Sequence, residues 1–170
     1  MNPTTDVLEQ RVAAMEGGAA ALGIASGTSA VFYSIINLAQ EGDEIVSANN
    51  LYGGTYTQFT DILPKFGINV KLVDPNNPAN FAAAITDKTK ALFCESVSNP
   101  GLDVADIRAI ANVANDHGIP LIVDSTFSTP YLTNPIEHGA SIVIHSLTKW
   151  MGGHGNGIGG IVVDSGTFDW

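Results

Sequence analysis

One lysine in this acidic chain has neighbours that suit chemistry better than a solvated surface. Lys149 lies in the segment IHSLTKW (144–150), just beyond an apolar run, and the glycine-rich stretch GGHG (152–155) follows. A lysine amine becomes a nucleophile when burial or nearby positive charge lowers its pKa. The hydroxyl groups of Ser146 and Thr148 could bind a phosphate. Taken alone, the segment favours a solvated loop lysine.

A carboxylate ends another apolar run. Asp124 closes the aliphatic stretch LIVD (121–124). A carboxylate in such surroundings costs free energy unless a cation or hydrogen-bond donors accompany it. A protonated pyridine nitrogen would be a suitable partner. The alternative is an aspartate that caps the turn after the run.

Three further polar or glycine-containing segments each follow a short apolar run: SGTS (26–29), LYGGTY (51–56) and ESVSNPG (95–101). Backbone N–H groups at a helix start after Ser26 would suit a phosphate. The Tyr52 ring could stack on a flat cofactor, and the Asn99 amide could donate to a ligand oxygen. The plain structural alternatives are a helix cap, an aromatic anchor and an Asn-Pro-Gly turn.

The elements that would position these side chains alternate along the chain. Short apolar runs predict strands, and amphipathic spacing predicts helices, the first one capped by Asp6 and the one at 103–117 capped by Asp103. The predicted strands are 20–25, 44–48, 69–73, 90–95, 119–124, 141–145 and 159–163, and the predicted helices are 7–16, 28–39, 55–65, 78–85 and 103–117.

This alternation predicts the fold class and the place of a ligand. Strands that alternate with helices favour an α/β, three-layer αβα architecture with a mostly parallel sheet covered on both faces. In such sheets ligands bind beyond the carboxyl ends of the strands. The five segments above all follow predicted strands, so we expect them to meet at one site.

Composition excludes several other classes of function. The 170 residues carry a formal net charge of −10 with only seven Lys and Arg, and no basic run indicates nucleic-acid binding. Four scattered histidines show no metal-ligand spacing, and the single Cys94 is predicted to be a buried thiol. No G-x-S-x-G motif and no early GxGxxG motif is present. Because neither a signal peptide nor a membrane span is recognisable, we expect a cytoplasmic protein without membrane contact.

Taken together and in this order, the segments resemble the Cys/Met-metabolism family of pyridoxal 5′-phosphate (PLP)-dependent enzymes, which have the aspartate-aminotransferase-like fold (fold type I). The resemblance covers nearly the whole chain. It is most specific at VLE (7–9) with MEGG (15–18), LYGGTY (51–56), VDSTF (123–127), and SLTK (146–149) with GGH (152–154).

The resemblance implies a role for each matching position. Lys149 matches the lysine that binds PLP as a Schiff base, and Asp124 matches the carboxylate that keeps the pyridine nitrogen protonated. Tyr52 matches the tyrosine that stacks on the ring and takes part in proton transfer, and Asn99 the asparagine near the ring hydroxyl. Four residues match phosphate-binding positions: Gly27, Thr28, Ser146 and Thr148. At Thr28 the family commonly has methionine, so the backbone N–H is the expected donor there.

Local strings resemble the O-acetylhomoserine sulfhydrylases of the family most: EHGA (137–140), GGHG (152–155) and FDW (168–170). The implied reaction is replacement of the γ-substituent of O-acetylhomoserine by sulfide or a thiol, giving homocysteine or methionine and acetate, with Lys149 moving the protons. Cystathionine γ-synthase and γ-lyase activities are the alternatives. The residue at Gly54, where methionine γ-lyases usually have cysteine, disfavours a lyase.

The resemblance also implies what residues 1–170 lack. Family members have an arginine and a tyrosine ahead of the position of Asn2, which reach the phosphate of a neighbouring subunit, and a C-terminal domain with an arginine for the substrate carboxylate. We therefore expect residues 1–170 to be part of a PLP-binding large domain, without that arm and domain. The family precedent implies a homo-oligomer, a dimer or tetramer, that acts on a small amino-acid substrate. An alternative of another class is a truncated cofactor-binding module that has no catalysis by itself.

Overall fold

The computed structural model describes residues 2–170 and builds them around one seven-stranded sheet with the order β1-β7-β6-β5-β4-β2-β3. Only β7 runs against its neighbours, β1 and β6, and every other neighbouring pair is parallel. The strands are β1 (Ala20–Ile24), β2 (Glu44–Ala48), β3 (Asn69–Val73), β4 (Thr89–Glu95), β5 (Leu121–Asp124), β6 (Ile142–Ser146) and β7 (Gly160–Asp164).

Helices cover both faces of this sheet. In β4 and β5 nearly every residue is buried, which requires protein on both sides because successive side chains point to opposite faces. The predicted α/β class with a mostly parallel sheet is thus confirmed. The helices are α1 (Pro3–Glu16), α2 (Gly27–Leu38), α3 (Gly53–Thr57), α4 (Ala79–Ala84), α5 (Ile107–Asp116) and α6 (Thr129–Leu132).

Two predicted helix starts are wrong, for different local reasons. Helix α1 begins at Pro3, and the Asn2 side chain accepts the Thr4 N–H at 3.0 Å. Proline suits the first helical position because that position needs no N–H donor, so the helix starts ahead of Asp6. Helix α5 is capped by Asp106, because Asp103 instead hydrogen-bonds Ser98 and Asn50 in the preceding loop.

The predicted helix at 55–65 is irregular. After α3 the chain forms one π-helical turn (Gln58–Ile62) and one 3₁₀ turn (Leu63–Phe66), and it ends at Gly67 in the left-handed region. Pro64 lacks the N–H that a regular helix would donate to residue 60. The change in hydrogen-bond spacing around this proline accommodates the missing donor.

Within residues 2–170, no helix is both long and apolar enough to cross a membrane. The same residues contain no group of three or more side chains arranged to hold a metal ion.

Candidate active site

A cavity of about 680 Å³ opens at the carboxyl ends of the parallel strands. Its volume lies in the range of small-molecule sites. Asp124 and Ser146 are the last residues of β5 and β6, and Gly27 is the first residue of α2. The cavity brings together all eight residues singled out in the sequence: Gly27, Thr28, Tyr52, Asn99, Asp124, Ser146, Thr148 and Lys149.

The first turn of α2 meets the end of β6 at one wall. Ser26 caps the helix by accepting the Ser29 N–H at 3.1 Å, and the N–H groups of Gly27 and Thr28 have no partner within the helix. A Cβ atom at Gly27 would lie 2.5 Å from the Cβ of Ser146, so only glycine allows this approach. The arrangement unites helix N–H groups, the positive end of the helix dipole and a hydroxyl, which suits a phosphate.

Thr148 has a different local role from Ser146. Its hydroxyl donates to the Gly159 carbonyl at 3.3 Å and accepts the Gly159 N–H at 3.2 Å. The hydroxyl proton of Thr148 is therefore already used in the hydrogen bond to Gly159. Thr148 therefore holds the loop that precedes Lys149, while the Ser146 hydroxyl makes no hydrogen bond to any other group in residues 2–170.

Asp124, at the end of β5, is one of the acidic residues that line the cavity. One of its oxygens accepts the Thr126 N–H at 2.9 Å. Burial raises the pKa of Asp124, although the hydrogen bonds from Thr126 and the charge of His145 act in the opposite direction. None of the ion pairs formed within residues 2–170 includes this carboxylate. A ligand cation, such as a protonated ring nitrogen, would complete its surroundings.

Lys149 lies across the cavity, directly before the 3₁₀ turn Trp150–Gly152. It is exposed, lines the cavity and takes part in none of the ion pairs of residues 2–170. Its amine is thus accessible to a ligand carbonyl.

Tyr52 precedes α3 and folds back over its own loop. A Cβ atom at Gly54 would come within 2.6 Å of the Tyr52 ring, so the glycine makes room for the ring beside the cavity. About half of the Tyr52 side chain is exposed. An aromatic face next to a phosphate-binding helix start and a free lysine suits a flat heteroaromatic ligand.

One buried acid of the cavity was not recognised from the sequence. Glu95, the last residue of β4, is 7% exposed and accepts the N–H groups of both Tyr52 and Asn99. Burial raises the pKa of Glu95 to about 7. The only signal in the sequence was its place at the end of an apolar run, directly before the segment that contains Asn99.

Three buried serines were missed as well. Ser96, Ser125 and Ser128 bond to one another through their hydroxyls at 2.7, 2.8 and 3.3 Å. These hydrogen bonds join the segments that directly follow Glu95 in β4 and Asp124 in β5. Serines spaced this way in sequence carry no recognisable pattern.

The residues of the cavity fit PLP: a phosphate-binding helix start, an unpaired carboxylate for the ring nitrogen and an accessible lysine for the carbonyl.

Comparisons with known proteins agree. The family model described as Cys/Met metabolism PLP-dependent enzyme matches residues 1–170. The O-acetyl-L-homoserine sulfhydrylase of Leptospira meyeri is 54% identical over 170 residues, which are all of this chain and 38% of that protein. The homocysteine synthase of Schizosaccharomyces pombe is 54% identical over 171 residues, 40% of its length.

Solved structures are similar as well. A Campylobacter jejuni protein that contains N′-pyridoxyl-lysine-5′-monophosphate superposes with a TM-score of 0.96 at 42% identity, covering 98% of this chain and 41% of that one. The O-acetylhomoserine sulfhydrylase of Wolinella succinogenes gives a TM-score of 0.92 at 40% identity, covering 99% and 49%. The chain thus spans about two fifths of the length of the curated relatives it matches. It belongs to the Cys/Met-metabolism family of PLP-dependent enzymes.

Proposed function

We propose that this chain is part of the PLP-binding large domain of an enzyme that replaces the acetoxy group of O-acetylhomoserine with a sulfur nucleophile, giving homocysteine or methionine and acetate. The observation that carries the proposal is the single cavity that unites the α2 start, Asp124 and Lys149. The names of the sulfhydrylase and homocysteine synthase relatives support the substrate class.

When bound, PLP supplies an electron sink for the negative charge left when the substrate loses its α-proton. We assign covalent attachment to the Lys149 amine. Once the substrate amine has displaced it from the cofactor, the freed Lys149 amine would take the α-proton and move a proton at the β-carbon. The Asp124 carboxylate holds the proton on the ring nitrogen, and the α2 start with Ser146 binds the phosphate. At the substrate γ-carbon a C–O bond to acetate breaks and a C–S bond forms.

The first test replaces the lysine. Lys149→Ala in the full-length protein that contains this chain removes the only amine we assign to PLP. We expect loss of the visible absorbance band of lysine-linked PLP and a fall of more than about 10³-fold in γ-replacement turnover, since the variant lacks both the attachment point and the base. Peptide mapping after borohydride reduction should find the pyridoxyl group on Lys149 of the unsubstituted protein.

Lys65→Ala is the matched control, because Lys65 is exposed and takes part in none of the ion pairs of residues 2–170. It should leave the absorbance and the turnover unchanged. A pyridoxyl group found on another lysine, or a K149A variant that keeps the absorbance band, would contradict the assignment.

A substrate panel tests the reaction itself. Sulfide, methanethiol and cysteine are compared as nucleophiles with O-acetylhomoserine, and elimination without a nucleophile is the control. Homocysteine formation from sulfide supports the proposal. Elimination alone would favour a lyase, and bound PLP without any turnover would favour the truncated module.

We further propose a cytoplasmic location and assembly into a homodimer or homotetramer. The assembly rests on the family resemblance, in which residues of a neighbouring subunit reach the phosphate, and the location rests on the expectation from the sequence. The mass of the native protein in solution checks the assembly.

A further inference from the structure

Glu95 joins two parts of the cavity that are distant in sequence. Its Oε1 accepts the Tyr52 N–H at 2.7 Å, and its Oε2 accepts the Asn99 N–H at 3.1 Å. Tyr52 lies 43 residues before Glu95. Each carboxylate oxygen therefore serves a different loop, and both loops carry residues that line the cavity.

The Tyr52 and Asn99 N–H groups have no other acceptor within residues 2–170. Tyr52 stands at the start of α3, where no side chain caps the helix. Its N–H makes no other hydrogen bond within residues 2–170. Since Tyr52 Cα is fixed through this N–H, the bond sets where the ring lies over Gly54. The Asn99 N–H likewise has Glu95 as its acceptor.

The two bonds require an ionised carboxylate of this length. A carboxylate accepts at both oxygens, whereas the amide of glutamine accepts at only one. Hydrogen bonds to an ionised acceptor are about twice as strong as those between neutral groups. An aspartate would withdraw both oxygens by one methylene, about 1.5 Å, so neither N–H would stay within bonding distance.

Glu95 is not part of a structural ion pair. Asp124 lies directly across the strand pair, at the register position of Glu95, and Cys94 is its buried neighbour in β4. The Tyr52 and Lys149 side chains line the same cavity. No cation pairs with Glu95 in residues 2–170. A buried, unpaired carboxylate is costly for stability alone, so its two loop contacts offer the functional reason for it.

We propose that Glu95 is a positioning residue, which binds the Tyr52 and Asn99 backbones and thereby sets the placement of both side chains on the bound cofactor. The proposal deepens the proposed function and rests on it. Protonation would turn one oxygen into a donor and release one loop, so the positioning acts where Glu95 is ionised.

The test uses Glu95→Gln in the full-length protein loaded with PLP. The variant should still attach PLP to Lys149, as borohydride reduction and peptide mapping report. The circular dichroism of the PLP absorbance band should fall, because its intensity depends on how the ring is held. We expect kcat/KM for γ-replacement to fall by about 10- to 100-fold, the size of effect that a displacement of about 1 Å produces.

A mutant cycle separates positioning from a general loss of structure. In a Tyr52→Ala, Asn99→Ala background, adding E95Q should cost less than about threefold in kcat/KM, because the side chains through which it acts are gone. Glu95→Asp should lose as much dichroism as E95Q. Glu44→Gln is the matched control: Glu44 bonds Lys71 and Thr86 away from the cavity, and the substitution should change neither readout.

Wild-type dichroism and kcat/KM in E95Q, or in E95D should E95Q fail to fold, would overturn the proposal. A full penalty for E95Q in the Tyr52→Ala, Asn99→Ala background would overturn it too. If the unsubstituted protein has no γ-replacement activity, the proposed function fails, but the dichroism still decides the role of Glu95.

Discussion

Two pairs of enclosed titratable side chains lie on opposite faces of the sheet. On one face Glu16 of α1 contacts His145 of β6 at 2.5 Å, and both side chains are fully buried. On the other, Glu95 and Asp124 lie side by side at the ends of β4 and β5. Asp124 pairs with Ile144, so the next residue, His145, points to the opposite face.

The two pairs differ in how their charge is compensated. Glu16 has a hydrogen-bonded partner, His145, within the protein, and the pair joins α1 to the sheet over 129 residues of sequence. Glu95 and Asp124 are two acids, and neither forms an ion pair within residues 2–170. Removing one partner of a buried pair is costly because it leaves the other uncompensated, whereas an acid without an ion-pair partner is retained only where a ligand or a loop needs it. The difference separates a structural site from a functional one.

The largest effect on stability is expected for the pair of Glu16 and His145. Glu16→Ala leaves His145 buried without its partner, and breaking a buried pair in this way costs about 3–5 kcal/mol. Urea unfolding of the full-length protein without PLP measures the loss. The double variant Glu16→Met, His145→Leu should regain most of it, since Glu16 Oε2 and His145 Nδ1 already lack hydrogen-bond partners.

The exposed pair of Glu44 and Lys71 is the control for that measurement. Its side chains are 15% and 36% exposed, and Lys71→Met should cost at most about 1 kcal/mol. An E16A variant no less stable than K71M would mean that the buried pair is not compensated as described.

Asp124→Asn should leave the stability nearly unchanged but weaken PLP binding. Its oxygen can still accept the Thr126 N–H, and the amide removes a buried charge, so stability without PLP should stay within about 1 kcal/mol or rise. PLP binding should weaken by about 100-fold, because a charge-assisted hydrogen bond to the ring nitrogen is lost. Fluorescence titration with PLP measures the affinity.

Asp164→Asn is the matched control for this variant. Asp164 ends β7 and accepts the Gly166 N–H at 3.0 Å, as Asp124 accepts that of Thr126, but it lies outside the cavity. Equal PLP affinities of D124N and D164N would remove the distinction between the two sites.

A further effect is on the pH dependence of stability. Glu95 has its pKa raised from 4.5 to about 7 by burial. The folded protein then holds this proton more tightly than the unfolded chain, so the stabilisation is present below pH 4.5 and is lost as the pH rises through about 7. We expect a loss of about 3 kcal/mol across this window, because each pH unit between the two pKa values corresponds to about 1.4 kcal/mol.

Urea unfolding at pH 5 and pH 8 tests this expectation. The difference between the two values should be larger in the unsubstituted protein than in E95Q, in which the group no longer titrates. If the stability changes equally between the two pH values in both proteins, a group other than Glu95 is responsible for the change.

Much of the fold could be predicted from local patterns. All seven strands were predicted from apolar runs, with bounds that differ from the structure by at most two residues, because a strand buried on both faces needs such a run. The helix starts at Asp6 and Asp103 were wrong. Several polar residues near each start could act as caps, and the contacts of Asn2 and Asp103 decide between them.

The candidate site divides in the same way. Polar residues that follow apolar runs were recognisable in sequence, and the parallel order of β2, β4, β5 and β6 gathers them at one edge. The roles assigned to them, from Lys149 to Asn99, are predictions that the variants above test. Glu95 and the pair of Glu16 with His145 could not be recognised, because nothing in their local sequence indicates their partners.

By itself, the sequence determined which segments are buried and which polar groups stand at the strand ends, because burial and strand formation follow from the local order of apolar residues. Only the tertiary structure decided which of those groups have partners. Strand register places Asp124 beside Glu95, and helix packing places Glu16 against His145. The physical reason is that the free energy of a buried charge depends on atoms a few ångströms away in space, and these come from distant parts of the chain.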